Sequence, residues 1–256
     1  MSTLEIHQIP TRSDNYVYLL RESSSGNAAV VDPSDAAPVL ETLAMFGWKL
    51  THILTTHHHN DHVGGVEEIK TATGCTVVGP RADRDRIPMI DVEVGDGDTF
   101  RLYEAEAKVW DVPGHTRGHI AYWFAESRAL FCGDTLFALG CGRVFEGTFD
   151  QMYASISKFK AVPDETWVYC AHEYTMSNAK FALHVDPENS ALQDYAKQIA
   201  RRREAGVSTV PSLMGVERRT NPFLRADDPA LAKALGMEGR APAEVFAEVR
   251  SRKDNF

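Results

Sequence analysis

A chain of 256 residues, 43% hydrophobic and 25% charged, is long enough for one large domain, or a large and a small one, around a substantial core. No apolar run approaches the roughly 18 residues needed to cross a bilayer, and the N-terminal MSTLEIHQIPTRSDNY lacks the basic start and apolar stretch of an export signal. A net charge of −9 excludes a general nucleic-acid binder, which would carry a basic face.

In chain order, NYVYLL, AAVVD, HILTTH, CTVVGP, TFRLYEA, KVWDVPG, HIAYWFA, ALFCGD and TWVYCAH are short β-branched or alternating runs punctuated by Gly, Pro or Asp, and they predict strands. Helical patterns intervene at APVLETLAMFGW, at VGGVEEIKTAT and at FDQMYASISKFKAV. Layered sheets with helices outside are expected, an α/β (α+β) class. From about residue 173 the texture becomes helical. ENSALQDYAKQIARRREAG predicts an amphipathic helix stopped by Gly206, and DDPALAKALG and PAEVFAEVRSRKD two more, each with a Pro just inside its start. Residues 1–172 carry 14 Lys+Arg against 24 Asp+Glu, whereas 173–256 carry 13 against 12, so the two segments differ in charge as well as texture. A division into a domain of residues 1–172 and a helical domain of residues 173–256 is expected. The four cysteines, Cys75, Cys132, Cys141 and Cys170, have no C-x-x-C spacing and read as reduced thiols, which with the missing export signal points to the cytoplasm.

The unusual stretch is TTHHHNDHVGG, with four histidines and an aspartate between His57 and His62. Neither helix propensity nor strand packing asks for such a run. His57 and His59, two apart in an extended segment, project to one side while His58 faces away. Asp61 and His62 follow where the chain should turn into a helix beginning near Val63. Three further strand candidates end on a metal-competent side chain: KVWDVPG on His115, ALFCG on Asp134, TWVYCA on His172. Loops at one end of a sheet assemble sites in this way. Imidazole and carboxylate without thiolate suit zinc, iron(II) or manganese, and an aspartate such as Asp134 can offer one oxygen to each of two ions.

T-H-x-H-x-D-H, with the later GHT, GD and last His, resembles the metallo-β-lactamase superfamily. DNYVYLL, PGHTRGHI, FCGDTLFALGCGRVFEGT, CAHEYT, NPFLR and RSRKD narrow the resemblance to the glyoxalase II (hydroxyacylglutathione hydrolase) family over essentially the whole chain. The resemblance implies an αββα four-layer sandwich with a smaller C-terminal helical domain. It implies two divalent ions, zinc first among zinc, iron and manganese. His57, His59 and His115 would hold one, Asp61, His62 and His172 the other, with Asp134 bridging. It further implies that Arg143, Phe145, Tyr174, Arg250 and Lys253 grip the glutathione moiety of a thioester substrate. Some relatives carry Lys and Tyr at the positions of Arg143 and Phe145, so Phe145 here lacks a hydroxyl. The implied reaction is hydrolysis of S-(2-hydroxyacyl)glutathione, usually S-D-lactoylglutathione, to glutathione and D-lactate in methylglyoxal detoxification. Its nucleophile is a hydroxide bridging the ions, with Asp61 and Asp134 as the catalytic carboxylates. A monomer with no membrane or nucleic-acid partner is expected.

His7, His52, His58 and His184 read as surface or satisfied core residues, and His119 as a structural or supporting hydrogen-bond partner. Cys132 and Cys170, each two residues before a proposed ligand, read as buried thiols rather than thiolate ligands. NPFLR reads as a turn without an evident catalytic task. Two rivals remain to be discriminated. A persulfide dioxygenase of the same superfamily uses one iron and lacks the long helical C-terminal segment, so NPFLR and RSRKD count against it. A non-catalytic glutathione-conjugate or metal-binding module would not need seven intact ligands.

Overall fold

The computed structural model describes residues 3–256, which divide into two units. The first takes in the chain up to Asp111 together with Arg117–Gly133; the second comprises Val112–Thr116 and Asp134–Phe256.

In the first unit the elements run β1 (Leu4–Thr11), β2 (Asn15–Glu22), β3 (Asn27–Val31), α1 (Ala36–Phe46), β4 (Lys49–Leu54), α2 (Asn60–Val63), α3 (Val66–Thr73), β5 (Thr76–Pro80), β6 (Val92–Val94), β7 (Thr99–Leu102), β8 (Ala105–Asp111), β9 (Ile120–Phe124) and β10 (Ala129–Gly133). The first six strands form a sheet in the order β1-β2-β3-β4-β5-β6. The β1–β2 and β2–β3 pairs are antiparallel, and β3 through β6 are parallel. Strands β10, β9, β8 and β7 lie side by side, antiparallel.

Period-two alternation explains how the first sheet is buried on both faces. Val17 and Leu19 of β2, Val30 of β3, Ile53 of β4 and Val77 of β5 share a core with Val39 and Leu43 of α1 and Val66 and Ile69 of α3. The residues between them point the other way, and Tyr18 meets Phe131 of β10 with ring centroids 5.6 Å apart. Helices on one face and a second sheet on the other make this a layered unit, as the run of short strands predicts.

In the second unit follow β11 (Leu136–Phe137), β12 (Gly140–Cys141), α4 (Phe149–Lys158), β13 (Trp167–Cys170), α5 (Thr175–Val185), α6 (Ser190–Glu204), β14 (Ser212–Leu213), α7 (Met214–Thr220), α8 (Pro229–Ala234) and α9 (Pro242–Asp254). β11 and β12 form a hairpin pairing Phe137 with Gly140, and β13 pairs with β14. Thr148 and Gln151 close a capping box on α4, Asn189 caps α6, and Asp228 caps α8 ahead of Pro229. Past α6, Gly206 takes φ 71°, as a helix stop requires. Leu139, Ala179, Ala182, Leu192 and Ile199 form the core between the hairpin, α5 and α6. A second cluster joins α4 to α9, with Tyr153 and Phe246 at 5.6 Å.

All nine runs expected as strands contain strands. The helix expected to begin near Val63 starts earlier and breaks: Asp61 and His62 lie inside α2, and α3 opens only at Val66. Among the described residues no helix is long and apolar enough to cross a membrane. All four cysteines are buried thiols, none joined in a disulfide.

Candidate active site

In the first unit the chain leaves β4 through Thr55 and Thr56, both fully buried, and reaches His57. Asp32, at the end of β3, receives the Thr56 N–H on Oδ1 at 2.7 Å and the Thr56 hydroxyl on Oδ2 at 2.6 Å. Because that hydroxyl proton goes to Asp32, the 3.0 Å contact between Thr56 Oγ1 and His57 Nδ1 must be donated by the imidazole. His57 therefore keeps its lone pair on Nε2. The same carboxylate oxygen receives His62 Nδ1 at 3.0 Å, which leaves Nε2 as the lone-pair nitrogen of His62 as well. One buried aspartate thus sets two tautomers, the carboxylate–histidine arrangement characteristic of metal ligands.

His57 Nε2 and His59 Nδ1 lie 3.1 Å apart, and His62 Nε2 lies 3.7 Å from Asp61 Oδ2. Asn15 donates to Asp61 Oδ2 at 3.2 Å and holds it in place. His58 faces away, as alternation requires, and meets Asp83 at 2.9 Å. His119 is fully buried, stacks on His57 at 4.5 Å and 16°, and donates to its neighbour's carbonyl, Ile120 O. It supports the His57 ring.

In the second unit three dispersed residues converge. His115 Nε2 lies 3.4 Å from Asp134 Oδ2, and His172 Nε2 lies 3.4 Å from Asp134 Oδ1. The carboxylate offers one oxygen to each imidazole. His115 Nδ1 donates to Arg143 O at 2.8 Å, so its lone pair is on Nε2, toward Asp134. A Cβ on Gly142 would fall 2.0 Å from Asp134 O, so only glycine lets the chain leading to Arg143 return this closely.

Around this trio stand the aromatic and cationic residues expected to bind substrate. Phe145 is 62% exposed, with its ring 5.2 Å from that of His115. Tyr174 stacks on His172 at 4.7 Å and 4°. Lys253 lies over the Phe181 ring at 5.2 Å, and its ammonium is held below the usual lysine range by burial and by the charges of Arg250 and Arg143. Three cations therefore gather on one side of the second unit, with Arg143 exposed. Arg250 differs from the other two: it is 2% exposed, donates to Cys141 O at 2.9 Å and to Asp254 at 2.9 Å, and stacks on Phe223.

Two kinds of residue escape the sequence reading. Asp32 closes AAVVD just as Asp134 follows ALFCG, and that shared position at a strand end was the available signal. Phe137, edge-on to His172 at 5.9 Å and to Tyr174 at 5.3 Å, carried none.

The lone-pair nitrogens and carboxylate oxygens, with no thiolate among them, are the donor set of a divalent-metal site. A model for the C-terminus of hydroxyacylglutathione hydrolase matches residues 173–256, and one for the metallo-β-lactamase superfamily matches residues 10–172. The hydroxyacylglutathione hydrolase of Methylococcus capsulatus is 56% identical over 253 residues, 99% of each chain, and that of Rhodospirillum rubrum 56% identical over 256 residues, 100% of each. Among solved structures, the B3 metallo-β-lactamase BLEG-1 superposes with a TM-score of 0.67 at 22% identity, covering 86% of this chain and 99% of that one. ETHE1 from Myxococcus xanthus gives 0.60 at 26% identity, covering 91% and 100%.

Proposed function

The chain belongs to the hydroxyacylglutathione hydrolases of the metallo-β-lactamase superfamily, and from that premise we propose that it hydrolyses the thioester of S-(2-hydroxyacyl)glutathione to glutathione and a 2-hydroxy acid. S-D-lactoylglutathione is the substrate to test. The observation that carries the proposal is the Asp134 carboxylate, set between two imidazoles in the same unit as the cations around Lys253.

His57, His59 and His115 are proposed to hold one divalent ion and Asp61, His62 and His172 a second, with Asp134 between them. When bound, such ions supply Lewis acidity and lower the pKa of water from about 15.7 to about 7. The protein's own contribution is to hold the donor atoms ready. Asp32, Thr56 and the Arg143 carbonyl orient His57, His62 and His115 so that each of these three rings presents Nε2 for ligation. Ions held by these residues would supply a hydroxide nucleophile for the thioester carbonyl and positive charge for the oxyanion that develops. The departing thiolate belongs to a thiol of pKa near 8.5, so no strong general acid is required of the protein.

Glutathione carries two carboxylates and one ammonium, and Arg143 and Lys253 offer the opposite charge. Tyr174 and Phe145 supply aromatic surface next to His172 and His115. Arg250 joins this group through the Cys141 carbonyl, with its two terminal nitrogens engaged by Cys141 O and Asp254. Zinc is the favoured metal, with iron and manganese also suited to the ligands. The four buried thiols fit a reducing compartment such as the cytoplasm, and we expect the enzyme to work as a monomer.

The test is hydrolysis of S-D-lactoylglutathione by purified protein, with and without chelator, and elemental analysis of the same sample. Turnover that disappears with the metal and returns on its addition is expected. Full activity in metal-free protein, or none in loaded protein, would refute the reading.

A further inference from the structure

The hairpin of β11 and β12 links Asp134 to Arg143, and its turn is buried, which is unusual for a loop because main-chain polar groups need partners. Here side chains supply them. Asn221, the first residue of NPFLR, is fully buried and donates to Phe137 O at 3.1 Å and Gly140 O at 3.0 Å, the two carbonyls flanking the turn. Its own carbonyl accepts from Phe223 N at 3.0 Å, which fixes the orientation of the amide. Asn178 of α5 donates to Ala138 O at 3.1 Å. Leu139 sits at φ 57°, unfavourable for a branched side chain, and its N–H is received by Glu217 of α7 at 2.8 Å. Glu217 also accepts from Asn221 at 2.9 Å. A Cβ on Gly140 would fall 2.4 Å from Asn178 Nδ2, so the clamp closes only on glycine.

A buried polar network of this kind contributes little net stability per bond, about 1 kcal/mol, yet is costly to leave half made, so it selects one geometry. The geometry selected here puts Phe137 edge-on against both His172 and Tyr174. The two ends of the same hairpin lead into Asp134 and Arg143.

We propose that Asn221, with Asn178 and Glu217, is a positioning residue for the hydrolase reaction: it fixes the register of the 136–141 hairpin, and through Phe137 and Arg143 it sets the glutathione-binding side of the site. The inference rests on the functional reading above. It assigns a task to NPFLR, which as a sequence reads only as a turn.

Asn221→Asp keeps the shape and removes all three donated bonds, placing a carboxylate against two carbonyls and Glu217. Hydrogen–deuterium exchange on metal-free protein is expected to quicken in residues 136–143 while β2 to β5 stay protected. Calorimetric affinity for free glutathione and KM for S-D-lactoylglutathione should each worsen roughly tenfold, with a smaller fall in kcat. Should Asn221→Asp fail to fold, Asn178→Ala, which removes the amide donor to Ala138 O, carries the same comparison. Unchanged exchange in the hairpin, or quickened exchange with unchanged glutathione affinity and KM, would overturn the proposal. Wild-type protein that is inert on the thioester would instead sink the functional reading, and the exchange and glutathione-binding comparison would still decide the clamp.

Discussion

The two units hold their chemical residues by different means. In the first, His57, His59, Asp61 and His62 fall within six consecutive positions, and one buried carboxylate, Asp32, orients two of them. In the second, His115, Asp134 and His172 are spread along the chain and are held by a backbone carbonyl, a close passage at Gly142 and a hairpin gripped from α5 and α7. A contiguous set needs little more than one acceptor to set its tautomers. A dispersed set has only the fold to hold it, so its supports extend into the surface proposed to bind substrate. Damage should therefore stay with the metal in the first unit and spread from metal to substrate in the second.

The strongest challenge to that contrast is Asp134→Ala. Removing the carboxylate that faces both His115 and His172 should cut kcat by at least about a thousandfold and lower metal content together with it. Kinetics and elemental analysis on one preparation would check this, and retention of both ions with near-normal turnover would break the assignment. Next in size is Asp32→Ala, which strips the acceptor from His62 Nδ1 and from Thr56. Loss of an orienting partner of this kind typically costs about 10- to 100-fold in metal affinity or activity. KM for the thioester should remain close to wild type once metal is saturating. A raised KM would show that the first unit does not confine its effects as argued.

How much of this was legible in the sequence follows the same contrast. The His57–His62 run could be read directly, since alternation alone separates His57 and His59 from His58. The four strand-end residues could be read because strands announce themselves through β-branched or alternating runs, as in β3 and β8. β1 was not named: LEIHQIPT is an edge strand, half exposed and containing Pro10, and it lacks clean alternation. α5 was missed because its exposed face is narrow, Ser177, Lys180 and His184, while its buried face mixes the polar Thr175 and Asn178 with apolar residues, which blurs the helical pattern. Asp32 was passed over as a strand terminator. The hairpin clamp was illegible because it depends on Asn178, Glu217 and Asn221 reaching one turn from distant positions, and no local pattern records that.

Lys253→Ala should show the milder effect expected at the substrate side. Its ammonium is half-buried beside Phe181, and burial and two neighbouring cations depress it, so on the proposed reading a glutathione carboxylate would supply the missing counter-charge. KM is expected to rise about five- to tenfold with kcat and metal content nearly unchanged. Added salt should raise KM more in the wild type than in the variant, because the screened charge is already gone. A fall in kcat alone would move Lys253 out of binding and into the chemistry.

The smallest effect sharpens the view of the second unit as one held from within. Burial pushes the Glu217 carboxyl up from 4.5 to about 7, against the donated bonds from Leu139 N and Asn221 that favour its ionised form. The neighbouring Cys170 thiol and Tyr195 phenol are themselves pushed far above neutrality by burial, so Glu217 is the group among them that titrates near pH 7. Between pH 4.5 and 7 the folded chain keeps a proton that the unfolded chain releases. Its contribution to stability is therefore complete below about 4.5 and is lost as the pH rises through 7, a difference on the order of 3 kcal/mol. Glu217→Gln retains an acceptor for Leu139 and carries no charge, so its Tm should exceed that of the wild type by several degrees at pH 8, with the gap closing toward pH 5. Comparing the two proteins at each pH removes the contribution of metal-ligand titration common to both. Parallel Tm curves across that range would mean that Glu217 does not titrate near neutrality, and that the hairpin is clamped by an ion whose burial costs the fold little.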